Sequence, residues 1–161
     1  MSPSTSQAPA SSLYSSQLVS KRVTSLTEKL DPSVPDGFFD RLLEAARSQD
    51  PRRVAALCTE DVVFDDAGTE RALIGREALM ELLGSIYSVA TDLELEISER
   101  YVSLDGSKAG ARWRATGTLR DPAGRHVEFE TAEFYDFRNG LISHWTFIAR
   151  DPDWMGRQWG A

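Results

Sequence analysis

Between Leu93 and Ala149 the chain passes through four segments whose side chains alternate in character, each separated from the next by a strong turn signal. Leu93–Val102 (LELEISERYV) leads to Asp105-Gly106, and Gly110–Leu119 (GARWRATGTL) leads to Asp121-Pro122-Ala123-Gly124. Val127–Phe137 (VEFETAEFYDF) leads to Asn139-Gly140, and Leu141–Ala149 (LISHWTFIA) closes the series. Alternation at period two places successive side chains on opposite faces of a strand, and turns of these types reverse the chain. The segments therefore predict a four-stranded antiparallel meander. A sheet with an apolar face needs a second layer to cover it, and only the residues before Leu93 are numerous enough to supply one.

Those residues read as helices with one short strand. Phe38, Phe39, Leu42, Leu43 and Ala46 recur at helical spacing, which predicts an amphipathic helix over Asp36–Ser48. Asp50-Pro51 offers an N-cap and an N1 proline for a second, short helix running through Cys58. Asp61–Asp66 (DVVFDD) is β-branched and aromatic and predicts a strand. Gly75-Arg76-Glu77 opens a third helix lined by Leu79, Met80, Leu82, Leu83, Ile86 and Tyr87. Helices gathered ahead of a run of strands indicate an α+β domain, with the sheet curved around them to form a cone with a natural pocket.

Composition narrows the range of functions. Met1–Leu30 is rich in Ser, Thr and Gln, with no acidic residue before Glu28, and is expected to be a disordered tail. The folded domain is placed at 36–150, with Asp151–Ala161 as a C-terminal tail whose Trp154, Met155 and Trp159 should cover something apolar. A formal charge of −7 argues against nucleic acid as a partner. No apolar run approaches membrane-spanning length. The single cysteine, Cys58, excludes an internal disulfide, fits the cytoplasm and reads as core. His126 and His144 are far apart and have no second ligand at useful spacing, so no metal or other cofactor is expected.

The strand rows bring charge into the picture. If Arg120 and Arg125 close the Asp121–Gly124 loop, Arg114 falls opposite Thr131 and Arg112 opposite Glu133. On a face roofed by helices such a row makes a polar pocket floor. The same reading puts Trp113, Ala111 and Ala115 on the convex face together with His144. One large aromatic among small residues permits close sheet-to-sheet packing, so a homodimer through Trp113 is expected.

Ala56–Leu83, with its TED entry, short aromatic strand and GRE helix start, and the final GLISHW strand resemble the nuclear transport factor 2-like superfamily, in particular its SnoaL-like polyketide cyclases, steroid isomerases and epoxide hydrolases. The resemblance spans Asp36–Ala149. It implies a dimeric α+β cone with a deep apolar pocket, and a place in secondary metabolism. It sets Asp66 at the position of the steroid isomerases' catalytic base and Glu133 at that of a cyclase pocket histidine. Arg114 matches the epoxide hydrolases' pocket arginine, and Thr116 matches one of their catalytic aspartates. Three positions depart from the family: Phe147 stands where cyclases and epoxide hydrolases carry an essential aspartate, while Leu42 and Thr131 replace the isomerases' oxyanion tyrosine and second aspartate.

The expected chemistry is proton transfer on an apolar, oxygenated small molecule such as a polyketide or terpenoid: cyclisation, isomerisation or dehydration. Asp66 would serve as base, Arg112 or Arg114 would hold the developing oxyanion, and Glu133 would relay the proton. Tyr87, Thr116, Thr131, Trp145 and Phe147 would form the substrate-binding wall. The alternative is a non-catalytic ligand-binding or dimerisation module of the same fold.

Overall fold

The structure is a computed structural model that describes residues 33–150, all within one compact unit. The expectations for Met1–Leu30 and for Asp151–Ala161 lie outside the described residues. Among the described residues three helices precede or interrupt the strands: α1 (Phe38–Arg47), α2 (Pro51–Ala55) and α3 (Arg76–Val89). The strands are β1 (Cys58–Asp66), β2 (Leu73–Ile74), β3 (Ala90–Val102), β4 (Lys108–Leu119), β5 (His126–Arg138) and β6 (Leu141–Ala149). Among the described residues no helix is long and apolar enough to cross a membrane.

The meander is present as β3 to β6, and the sheet extends beyond it. Its strand order is β2-β1-β6-β5-β4-β3, with β1 running parallel to β6. That pairing joins the N-terminal half of the chain to its last strand and makes a mixed, curved sheet. The edge strand β3 carries two register shifts, between Thr91 and Glu94 and between Ile97 and Glu99, and bulges of this kind bend a strand. Asn139 and Gly140 adopt φ 53° and 76°, the left-handed pair a two-residue hairpin turn requires.

The helices roof one face. Phe38, Phe39, Leu42, Ala45 and Ala46 are the buried stripe of α1. Asp50 caps α2 by accepting from the Arg52 backbone N–H at 3.0 Å, and Pro51 occupies N1. Cys58 begins β1 instead of ending α2, because the helix stops at Ala55. It is nonetheless core, as expected: it is fully buried, and burial pushes its thiol up to about 12.

The hairpin between β4 and β5 corrects the expected register. Leu119 N–H donates to Arg125 O at 2.9 Å and Thr118 pairs with His126, so the loop holds one residue more than a closure by Arg120 and Arg125 would give. A one-residue slip turns every side chain of a strand to the other face. Trp113 therefore stands opposite Thr131 and Ala111 opposite Glu133, on the helix-covered side. Arg112 and Arg114 point outward and pair with Glu99 at 3.0 Å and Glu128 at 2.8 Å. Burying two guanidinium groups among the apolar residues that line the chamber there would cost far more than burying Trp113 among alanines. Trp113 is 6% exposed and belongs to the core, so it cannot anchor a dimer through the outer face.

Candidate active site

A small chamber lies between the helices and the concave face of the sheet, with a volume of about 90 Å³ and an opening on one side. Strand alternation sends Thr131 and Glu133 of β5, Trp113 of β4, and Trp145 and Phe147 of β6 into it. From α3, Leu82, Leu83, Ile86 and Tyr87 close the top, and Leu42 of α1 and Val54 of α2 close the far end. The half-buried Leu82, Ile86, Tyr87, Leu95 and Phe129 are the lining residues that also reach solvent. The wall is otherwise hydrocarbon.

Glu133 is the one carboxyl that lines this chamber, and it is 6% exposed. Thr131 Oγ1 donates to its Oε1 at 3.0 Å, while Tyr135 OH at 2.6 Å and Trp145 Nε1 at 3.0 Å both donate to Oε2. Tyr135 OH in turn accepts from Trp113 Nε1 at 3.0 Å. Every buried donor in the cluster has an acceptor, as a polar network in an apolar core requires. Glu133 Oε1, with Thr131 Oγ1 as its hydrogen-bond donor, has the capacity to accept once more.

Among the described residues no arginine, lysine or histidine lines the chamber, and Glu133 is their one carboxyl there. Without a counter-charge, desolvation dominates and raises Glu133 from the usual carboxylate range to about 7, against the opposing pull of Tyr135, Thr131 and Trp145. Burial, with help from the Glu133 charge, pushes Tyr87 up to about 12. Glu133 is therefore the group in this chamber that changes charge near neutral pH. Its protonated form fits the same network: the acid proton on Oε1 can point to Thr131 Oγ1 or to a ligand, and Oε2 still accepts twice.

The predicted site residues divide into two groups. Glu133, Thr131, Tyr87, Trp145 and Phe147 line the chamber. Asp66, Arg112, Arg114 and Thr116 do not line it. Asp66 shares the inward parity of Phe64 but stands at the end of β1, where its Oδ1 accepts from Gly68 N–H at 2.8 Å and caps a turn. Arg114 and Thr116 line a second cleft along β3, together with Arg47, Glu94, Glu96 and with Leu93 and Leu95, which it shares with the chamber. The expectation of an arginine within reach of Glu133 is not met. Two members of the network were missed. Tyr135 could have been found, since it follows Glu133 by two positions and shares its row; Trp113 was lost to the register slip.

Helices roofing a curved, unclosed sheet, with a polar group at the end of an apolar chamber, define an α+β cone protein of the nuclear transport factor 2-like type. Within that class the chain belongs to the SnoaL-like domain family, whose model matches residues 39–145. Among curated proteins none matches significantly. Solved structures share the fold at low identity. TsrD from Streptomyces laurentii is 23% identical, with 76% of this chain and 92% of that chain covered and a TM-score of 0.61. A proposed polyketide cyclase from Xanthomonas campestris pv. campestris is 21% identical, with coverages of 74% and 93% and a TM-score of 0.62. SalBIII, an epoxide hydrolase/cyclase-like enzyme with a role in pyran ring formation in the polyether salinomycin, is 17% identical, with coverages of 69% and 86% and a TM-score of 0.61.

Proposed function

We propose that the protein is a cofactor-independent enzyme in which Glu133 performs acid/base chemistry on a mostly apolar, oxygenated small molecule. The observation that supports this most is a buried carboxyl raised to about 7 at the end of an otherwise hydrocarbon chamber. A group that titrates near the working pH exchanges protons in both directions at little cost. Because it stands alone, it can take a proton from one atom of a bound molecule and return it to another. Such traffic leaves the proton count unchanged and suits cyclisation or isomerisation, and dehydration if the leaving hydroxyl receives the proton. The chamber is small, so a polyketide or terpenoid would insert its reacting end past Tyr87, Leu95 and Phe129 and leave the rest outside.

The supporting likenesses are of family and fold: SnoaL-like membership and neighbours that include a cyclase-like enzyme. The test is independent of substrate identity. Small ketones in deuterated water should exchange α-protons faster with the protein than without it, as followed by proton NMR, and Glu133→Gln should remove the acceleration. Exchange that persists undiminished in Glu133→Gln would place the base elsewhere.

A non-catalytic ligand-binding module is the second reading. It is favoured by the outward course of Arg112 and Arg114 and by Phe147 at a lining position, which leave no second charged group to hold an oxyanion. Absence of exchange with every ketone, together with measurable ligand binding, would select it.

A further inference from the structure

The walls around Glu133 are aromatic to a degree that its hydrogen bonds do not require. Trp113, Trp145, Phe64, Phe147, Tyr87 and Phe129 all line the chamber. Phe64 meets Trp145 edge-on, with ring centroids 5.4 Å apart, and lies 5.9 Å from Phe147. Aromatic rings attract a desolvated cation that meets their faces. An acid buried without a lining counter-ion, among six aromatic residues, is a site lacking its positive partner.

We infer that the chamber selects positive charge, and that its ligand class is a compact alkylammonium or a substrate group that becomes cationic as it reacts. This rests on the reading above that the chamber is the ligand site. Size agrees. An apolar cavity of about 150 Å³ holds benzene, so about 90 Å³ holds roughly four heavy atoms, the number in trimethylammonium. Its single N–H would point to the free acceptor position on Glu133 Oε1, and its methyl groups would meet the rings. Epoxide opening or carbonyl protonation develops positive charge on carbon or oxygen, and the same walls would stabilise it, so the selectivity and the proposed chemistry share one physical cause.

Binding is coupled to a proton. The ionisable groups facing Glu133 are Tyr135 on its own strand and Tyr87 from α3, with Cys58 of β1 nearby; no ionisable group of β4, β6, α1 or α2 lines the chamber. Tyr87 and Cys58 are held at about 12 and Tyr135 well above its usual value, so all three stay neutral between pH 6 and 8. Glu133 alone responds. Entry of R₃NH⁺ against its protonated form gives the ion pair and releases one proton.

Isothermal titration of the full chain with trimethylammonium and with neutral propan-2-ol, which also has four heavy atoms, tests this. Trimethylammonium should bind more tightly than propan-2-ol. Its affinity should rise about tenfold from pH 6 to pH 8, following the ionised fraction of a group with a pKa of about 7. Glu133→Gln should weaken the cation by at least tenfold and leave propan-2-ol unchanged, which also reports an intact chamber. Equal binding of the two probes, or a flat pH profile in the unsubstituted chain, overturns the charge selectivity while keeping the chamber as a ligand site. Binding of neither probe at millimolar concentration overturns both.

Discussion

Replacing Glu133 with glutamine should make the protein more stable in alkali and leave it nearly unchanged in acid. The folded chain holds the Glu133 proton up to about pH 7, whereas an unperturbed glutamate loses it at 4.5. Between those values the native state binds more protons than the unfolded state, so this residue lowers stability as the pH rises. The loss is absent below the unfolded value and complete above about pH 7. A shift of about 2.5 units corresponds to about 3 kcal/mol at 1.36 kcal/mol per unit. Glutamine copies the protonated acid: its amide nitrogen can donate to Thr131 Oγ1 and its oxygen can accept from Tyr135 and Trp145. Urea denaturation of both forms at pH 5 and pH 8.5 isolates the effect, because the remaining titrating groups cancel in the difference. With a slope of about 2 kcal/mol per molar, the variant's midpoint at pH 8.5 should lie about 1.5 M higher, with the two forms within about 1 kcal/mol at pH 5. A difference that stays constant across this range within about 0.5 kcal/mol would refute the assignment of a buried, uncompensated carboxyl. The gain in stability should accompany loss of α-proton exchange, as expected of a residue kept for chemistry at the expense of the fold.

Three further outcomes follow from the same geometry. Trp113→Ala should cost about 3–5 kcal/mol and Arg114→Ala no more than about 1 kcal/mol, measured by chemical denaturation, because one fills the core and the other makes an exposed ion pair; the reverse order would restore the four-residue hairpin register. Tyr135→Phe should cost about 1–3 kcal/mol, since Trp113 Nε1 loses its acceptor and Glu133 a donor, and should move the midpoint of any pH–rate profile upward. Asp50→Ala should lower stability by about 1 kcal/mol through loss of the α2 cap, with no change in trimethylammonium affinity.

The family was legible because its evidence is local. Helical spacing from Phe38 to Ala46, the Gly75-Arg76-Glu77 helix start and the Asn139-Gly140 turn each act through residues a few positions apart, and each appears where expected. The parallel pairing of β1 with β6 was not legible, since it joins residues some eighty positions apart that share no turn. The candidate site was half legible for a related reason. Alternation determined that Thr131, Glu133 and Tyr135 share one row and that Arg112 and Arg114 share another, because a strand's geometry permits nothing else. It could not say which rows face each other. That depends on a single residue in the Asp121–Gly124 hairpin, and it was decided by packing: the helix residues that line the chamber are apolar apart from Tyr87, so the row with Trp113 and the alanines turned inward and the arginines turned to the glutamates outside. The raised proton affinity of Glu133 belongs wholly to the tertiary structure, since it arises from the removal of water and of every nearby cation, neither of which is a property of residues adjacent in the chain.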